Sequence, residues 1–210
     1  MTNSSKNKIG PSEQAPTYVR SIAPYQSGKP IEELAREYGI GIGQIVKLAS
    51  NENPLGYSPH VREFIQKNLD EISRYPDSDG YYLKQALSRR NDVATDQIVL
   101  GNGSNDVLEL VARAFLSSSS SAIFSQYAFI VYTLATQAAG AHGISVPALN
   151  YGHDLKGMLA AIRNDTKVIF IANPNNPTGT YVNSEQLEAF LQEVPSSILV
   201  VLDQAYDEYL

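Results

Sequence analysis

The residues best suited to chemistry follow apolar segments in the second half of the sequence. They are the glycine-rich segment 101–105, Tyr127, the loop 173–179 with the sequence Asn-Pro-Asn-Asn-Pro-Thr-Gly, and the segment 203–206 with the sequence Asp-Gln-Ala-Tyr. In open α/β sheets, ligands bind beyond the carboxyl ends of the strands. Because each segment follows a predicted strand, the sequence predicts that all four meet in one site.

The segment 101–105 could bind a phosphate group. Its two glycines allow a tight backbone turn, and Ser104 or Asn105 could cap the helix that follows. The free N–H groups and the positive dipole end of a helix N-terminus favour an anion. An ordinary turn between a strand and a helix explains the same residues, and the third glycine of a dinucleotide-binding fingerprint is absent.

The remaining segments could hold the rest of a ligand. Tyr127 could lie flat over an aromatic ring, although half-buried packing explains this residue equally well. Two prolines and a glycine fix the loop 173–179, and we expect several of its side-chain amides to point outward. Asp203 follows five apolar residues, so it should be partly desolvated and should need a cationic or hydrogen-bonding partner. A buried ion pair or a helix cap remains an alternative for Asp203.

A single ligand would satisfy all four segments if it had a phosphate arm, an aromatic ring, a basic ring nitrogen and a polar substituent. Pyridoxal phosphate meets each requirement. In this interpretation the phosphate is held by Gly103, Ser104 and Asn105, the ring is stacked by Tyr127, the pyridine nitrogen pairs with Asp203, and the phenolic oxygen accepts hydrogen bonds from Asn176 and Tyr206.

The elements that would position these residues alternate between strand and helix from residue 97 onward. The predicted strands are 98–100, 122–124, 144–149, 167–172 and 198–202. The predicted helices are 31–39, 59–69, 80–90, one that includes 108–115, 127–139, 154–163 and 184–194. The strands are apolar runs, as burial on both faces of a sheet requires. This pattern predicts the α/β class, with a mostly parallel sheet covered by helices on both faces.

The composition excludes several classes of protein. The 210 residues include 16 Lys and Arg and 22 Asp and Glu, which give a net charge of −6. This negative charge argues against a nucleic-acid binder that relies on phosphate contacts. There is no cysteine, so disulfides and thiolate metal sites are excluded, and no metal is predicted. We expect no membrane span, no secretory signal and a cytoplasmic location. Residues 1–16 are expected to form a mobile tail and residues 117–121 a loop.

Two further segments strengthen a resemblance to a known family. They are 47–56, with the sequence Lys-Leu-Ala-Ser-Asn-Glu-Asn-Pro-Leu-Gly, and 74–77, with the sequence Arg-Tyr-Pro-Asp. Together with 101–105, 173–179 and 203–206, they make the chain similar to the pyridoxal-phosphate-dependent aminotransferases of class I/II, which have fold type I. The Ser-Asn-Glu-Asn-Pro and Arg-Tyr-Pro sequences resemble the histidinol-phosphate aminotransferase branch.

The resemblance implies a domain organisation and an assembly. Residues 1–45 would comprise an N-terminal tail, an arm and a segment of the small domain. Residues 46–210 would form an incomplete large domain that binds pyridoxal phosphate, and the C-terminal small domain would be missing. Tyr75 would reach the cofactor phosphate of a partner subunit, so the resemblance implies a homodimer.

The resemblance also implies a reaction. Asp203 and Tyr206 would be catalytic, and Asn51, Glu52 and Asn53 would lie near the substrate entrance. The reaction would belong to histidine biosynthesis. A small-molecule amino donor, histidinol phosphate, would transfer its amino group to a 2-oxo acid, 2-oxoglutarate. The alternatives of the same fold are an aromatic amino-acid transaminase and a phosphothreonine decarboxylase, and a non-catalytic fragment is the alternative from another class.

The sequence departs from the family pattern in two places. Gln204 stands where many relatives carry Glu. In this family the lysine that forms the Schiff base lies downstream of the position of Asp203, as does a phosphate-binding arginine. No lysine follows Asp203 here. We therefore expect the 210-residue chain to be the front part of a longer protein and to be inactive by itself.

Overall fold

The computed structural model describes residues 10–25 and 28–210. Most of the predicted tail 1–16 lies outside the described residues. Its last part contains a short 3-10 helix, Pro11–Gln14, and is followed by helix α1, Thr17–Arg20, which the sequence analysis missed. Four residues are too few to show a helical repeat of apolar positions, so the sequence carried no periodic signal for α1.

The chain divides into two compact units. One includes the residues up to Ile22 together with Val99–Leu210, and the other is Ala23–Ile98. The domain boundary between residues 45 and 46 stays a prediction.

In the part of the chain that the structure describes, the sheet has four strands, and every neighbouring pair is parallel. They are β1, Ser121–Ser125, β2, His142–Val146, β3, Thr166–Ala172, and β4, Leu199–Asp203. Their order across the sheet is β2-β1-β3-β4. The prediction of a parallel α/β sheet is therefore confirmed. The register pairs Ala172 with Asp203, so the last residues of β3 and β4 lie side by side.

Two strand predictions need correction. Residues 98–100 form no strand, because they follow the 3-10 helix Thr95–Gln97 as an irregular segment in which the side chain of Val99 is 67% exposed. The strand predicted at 144–149 begins earlier, at His142, and ends at Val146. Leu149 lies beyond it and is 60% exposed. In both places apolar residues stand outside the core, which an apolar pattern alone does not reveal.

Within the described residues, seven further helices flank the strands or precede them in the chain. They are α2, Ile31–Tyr38, α3, Pro59–Lys67, α4, Tyr81–Asn91, α5, Ser104–Phe115, α6, Ile130–Ala138, α7, Leu155–Ala160, and α8, Ser184–Glu193. Helix α6 begins three residues later than predicted, because the backbone of its N-cap residue, Phe129, is not helical, with φ −57° and ψ 126°. Short 3-10 helices occur at Ile42–Gln44, Leu69–Ser73, Thr95–Gln97 and Asp207–Tyr209.

The core lies on both faces of the sheet. On one face, Phe170 of β3 packs with buried residues of α5 and α6, including Leu108 and Tyr132. On the other face, Ile169 packs with Met158 of α7 and Phe190 of α8 and with their neighbours. This two-sided burial explains the continuous apolar run of β3 and confirms the prediction of helices on both faces.

The described residues contain neither a candidate membrane span nor a candidate metal-binding group. None of their helices has both the length and the apolar character needed to cross a bilayer. Within the same residues, no group of three or more histidine, cysteine, aspartate or glutamate side chains is placed to hold a metal ion.

Candidate functional site

A cavity lies at the carboxyl ends of β3 and β4. It is lined by Ser104, Phe129, Ala172, Pro174, Asn176, Asp203, Ala205 and Tyr206. Four of the residues predicted for the cofactor site therefore lie around one cavity: Ser104, Asn176, Asp203 and Tyr206. The parallel register of β3 and β4 places the loop after one strand beside the carboxylate that ends the other.

Both carboxylate oxygens of Asp203 accept hydrogen bonds. The Tyr132 hydroxyl donates to Oδ2 at 2.9 Å, and the backbone N–H of Ala205 donates to Oδ1 at 3.1 Å. Asp203 is only partly exposed, in agreement with the prediction that the carboxylate would be partly desolvated and need a partner. Two neutral donors hold its orientation, and each oxygen retains a lone pair for a further donor.

Tyr132 is a site residue that the sequence analysis missed. Its side chain is fully buried, and its ring stacks on Phe170 with centroids 4.9 Å apart and an angle of 8° between the planes. Burial and the nearby negative charge of Asp203 raise the pKa of Tyr132 above its ordinary value, so the hydroxyl keeps its proton. A tyrosine inside an apolar helix was the available signal, since a buried hydroxyl needs a partner.

The loop 173–179 is held together by its own side chains. The side chain of Asn173 both donates to and accepts from the backbone of Val182, each at 2.8 Å. Asn175 Nδ2 donates to the Tyr127 carbonyl at 2.8 Å and to Thr178 Oγ1 at 2.7 Å. The prediction that several amides point outward is wrong for these two buried asparagines. Backbone bonds also hold the loop, from Asn175 N–H to the Thr180 carbonyl at 2.9 Å and from Gly179 N–H to the Asn175 carbonyl at 2.8 Å. Asn176 lines the cavity.

The segment before α5 forms an uncapped helix N-terminus. Gly103 is the N-cap with φ 83°, and no side chain caps the helix, so the predicted capping by Ser104 or Asn105 is wrong. The carboxylate of Asp106 instead accepts bonds from the backbone and side-chain amides of Asn102, at 2.9 and 3.0 Å. The first-turn N–H groups are thus left to an external acceptor, beside the cavity that Ser104 lines.

Tyr127 lies in the turn before α6 and is 39% exposed. Its ring stacks against Tyr151, with centroids 5.7 Å apart and an angle of 27° between the planes. It is not among the residues that line the cavity, whereas Phe129 is. The stacking of Tyr127 on a cofactor ring stays a prediction.

Four of the predicted site residues belong to the second unit: Asn51, Glu52, Asn53 and Tyr75. Asn53 forms a turn, in which its Oδ1 accepts from Leu55 N and its Nδ2 donates to Gly56 O, both at 3.0 Å. Glu52 forms an ion pair with Lys47 at 2.7 Å. Tyr75 is fully exposed. The substrate roles of Asn51, Glu52 and Asn53 and the partner-site role of Tyr75 stay predictions.

A buried histidine, His153, supports the strand that leads to the cavity. Its Nε2 lies 2.7 Å from the carbonyl oxygen of Ala172, so Nε2 carries the proton and donates. Its Nδ1 is buried and has no hydrogen-bond partner in the structure. Burial lowers the pKa of His153, because protonation would place an unsatisfied N–H at Nδ1. No motif in the sequence identified this residue.

We expect the stability of the protein to fall as the pH drops below about 6.5, partly because of His153. The unfolded chain binds this proton at the ordinary histidine pKa, whereas the folded chain resists it, so acid favours unfolding. The loss is at most about 1.4 kcal/mol per pH unit. Urea unfolding between pH 8 and pH 5 should give a shallower decline for His153→Gln. His142→Gln, at an exposed position, should decline like the unsubstituted protein; equal slopes for all three would contradict the assignment.

The sequence matches the family model described as aminotransferase class I and II over residues 43–210. Histidinol-phosphate aminotransferase 2 of Nitrosospira multiformis is 60% identical over 196 residues, which are 93% of this chain and 50% of that protein. Histidinol-phosphate aminotransferase 1 of Psychrobacter arcticus is 53% identical over 210 residues, which are 99% of this chain and 55% of that protein. The chain thus spans about half the length of the curated relatives it matches.

Solved structures lead to the same family. The histidinol-phosphate aminotransferase from Sinorhizobium meliloti, in complex with pyridoxal-5'-phosphate, has a TM-score of 0.79 and 27% identity, and the match covers 99% of this chain and 53% of that one. L-threonine-O-3-phosphate decarboxylase from Porphyromonas gingivalis has a TM-score of 0.61 and 26% identity, with 70% and 44% covered. From the match of the family model and these likenesses, we conclude that the chain belongs to the aminotransferase class I and II family.

Proposed function

We propose that this chain forms the cofactor-binding part of a pyridoxal-phosphate-dependent histidinol-phosphate aminotransferase, which exchanges amino groups with 2-oxoglutarate in the cytoplasm. The observation that carries the proposal is the meeting of Ser104, Asn176, Asp203 and Tyr206 around one cavity. The identity of 60% to a histidinol-phosphate aminotransferase supports the choice of substrate. The experiments below use a protein that carries this sequence and has the full length of its relatives. We refer to it as the full-length protein.

The residues around the cavity fit the groups of pyridoxal phosphate. The uncapped N-terminus of α5, with Gly103, Ser104 and Asn105, offers N–H donors to a phosphate. The carboxylate of Asp203 would hold a proton on the pyridine nitrogen. Asn176 and Tyr206 would donate to the phenolic oxygen, since an amide and a phenol hydroxyl are both donors.

Pyridoxal phosphate supplies, when bound, an electron sink for the carbon that carries the substrate's amino group. The role of this chain would be to orient the cofactor ring and to maintain the positive charge on its nitrogen. Asp203 would stabilise a positive ring nitrogen, because it lies in a partly desolvated site, where a fixed charge acts more strongly than in water. The bonds of Asn173 and Asn175 keep the loop in place, so that Asn176 stays at the cavity without reorganisation.

The roles expected of residues 51–53 and of Tyr75 also belong to this proposal. Tyr75 is fully exposed, which suits a residue that reaches the cofactor phosphate of a partner subunit in a homodimer. Asn51, Glu52 and Asn53 would lie near the substrate entrance. The positive φ of Ser50 and Asn51, 76° and 44°, and the turn formed by Asn53 give this segment a defined backbone course.

A decarboxylase of the same fold is the second candidate. The likeness to L-threonine-O-3-phosphate decarboxylase favours it, because that structure matches 70% of this chain at 26% identity. Both enzymes would place an amino acid or amine with a phosphate group on the same cofactor. The products separate the two functions, since transamination yields glutamate from 2-oxoglutarate and decarboxylation yields carbon dioxide.

The test combines cofactor binding with product analysis. We expect the purified full-length protein to acquire a visible absorbance band with pyridoxal phosphate and to form glutamate from histidinol phosphate and 2-oxoglutarate. Phosphothreonine and aromatic amino acids should react more slowly. A protein that stays colourless with added cofactor would refute the cofactor assignment, and carbon dioxide release from phosphothreonine as the fastest reaction would favour the decarboxylase.

A further inference from the structure

We propose that Tyr132 is a positioning residue, whose hydroxyl holds the Asp203 carboxylate in the orientation and charge state that keep the cofactor's ring nitrogen protonated. The inference rests on the proposed function, because it concerns the same cofactor site. Tyr132 itself does not line the cavity. It therefore acts through Asp203 and touches neither substrate nor cofactor.

The position of the hydroxyl is strongly constrained. The Tyr132 ring is fully buried, stacks on Phe170 and meets Phe129 edge to face, with ring centroids 5.9 Å apart and an interplanar angle of 89°. These contacts leave the ring little freedom, and they direct its hydroxyl to Asp203 Oδ2 at 2.9 Å. The backbone N–H of Ala205 fixes the other oxygen. The carboxylate is thus oriented before any ligand binds, which lowers the cost of reorganisation.

The charges favour the same conclusion. A hydroxyl that donates to a carboxylate stabilises the negative charge on its oxygens. The raised pKa of Tyr132 means that the hydroxyl remains a donor over the whole working range of the enzyme. In a pair of Asp203 and a ring nitrogen, loss of this donor would move the shared proton toward the carboxylate. The electron sink would then be weaker.

Substitution Tyr132→Phe tests the inference, because it removes the hydroxyl and keeps the stacked ring. The full-length protein is loaded with pyridoxal phosphate labelled with ¹⁵N in the ring, and the nitrogen chemical shift reports the protonated fraction. We expect the ratio of protonated to unprotonated nitrogen to fall about tenfold, as for the loss of one bond to a charged group. The turnover number should fall similarly, while KM for the amino donor stays within about twofold.

Two control variants separate this effect from packing. Tyr181→Phe removes the hydroxyl of a half-exposed tyrosine and should change neither readout. In an Asp203→Asn background, Tyr132→Phe should have no further effect on the nitrogen shift, because the carboxylate it acts through is gone. An equal effect of Tyr132→Phe with and without the carboxylate would overturn the inference, as would a nitrogen shift like that of the unsubstituted protein.

A second measurement needs no substitution. The hydroxyl proton of Tyr132 should give a protected NMR resonance in the full-length apoprotein, and this resonance should move when cofactor binds, since Asp203 then shares its charge with the ring nitrogen. An unchanged resonance on binding would overturn the inference alone. Failure of the unsubstituted protein to bind pyridoxal phosphate would overturn the proposed function and this inference with it.

Discussion

Replacing Asp203 by Asn in the full-length protein is expected to lower the rate of transamination by a factor of at least about 10²–10³. The carboxylate stands at the end of β4 in a partly desolvated site, and two donors fix its orientation. A preorganised interaction of this kind contributes about 3–4 kcal/mol to transition-state stabilisation. The amide of Asn has almost the same shape but no charge to hold a proton on the ring nitrogen. Steady-state assays with histidinol phosphate and 2-oxoglutarate measure the loss.

The matched control for this variant is Asp207→Asn. Asp207 begins the 3-10 helix Asp207–Tyr209, four residues beyond Asp203, and its side chain is exposed. The substitution removes the same charge from the same part of the chain and should leave the rate within about twofold, since exposed charges are screened. If Asp203→Asn kept a rate near that of the unsubstituted protein, the role assigned to the carboxylate would be wrong.

Replacing Phe170 by Ala should destabilise the folded protein by about 3–5 kcal/mol, the usual cost of removing a buried phenylalanine side chain. Phe170 is fully buried at the centre of β3, where it packs on α5 and α6 and stacks with Tyr132. The cavity left behind would also loosen the ring that directs a hydroxyl to Asp203. Urea unfolding of the full-length protein, followed by far-ultraviolet circular dichroism, measures the change in midpoint.

Phe115→Ala is the control for Phe170→Ala. Phe115 is the last residue of α5, and its side chain is 52% exposed, so the same change of residue type should cost only about 0.5 kcal/mol. A loss below about 1 kcal/mol for Phe170→Ala would contradict the central place of this side chain in the core.

The meeting of the loop and the carboxylate could be predicted from the sequence. Apolar runs separated by helices predict a parallel sheet, and such a sheet places the ends of its strands at one edge. The observed pairing of Ala172 with Asp203 is the outcome of that rule. The prediction depended on neither the exact strand bounds nor the side-chain conformations. It therefore held although the predicted bounds of β3 and β4 were wrong by one residue.

The support of the carboxylate could not be predicted in the same way. Tyr132 and Asp203 are 71 residues apart, and their contact depends on which face α6 turns to the sheet. The helix was expected from residue 127 but begins at Ile130, and each residue turns a helix by about 100°. The inward direction of Asn173 and Asn175 was missed for a related reason. An asparagine in a loop has the same polarity whether it points to solvent or back to the backbone.

The strand order also has a consequence for how this part of the chain assembles during synthesis. The ribosome delivers β1 and then β2, which lies 21 residues further along and pairs with one side of β1. The other side of β1 stays unpaired until β3 is made. In turn, β3 stays unpaired on its far side until β4 is made, because its residue Val168 pairs with Leu199, which is 31 positions further along the chain. Because domains fold as they emerge, the edge that brings Ala172 and Asp203 together closes last. Nascent chains that stop short of β4 would have the first three strands but would lack the carboxylate of Asp203 at the candidate site.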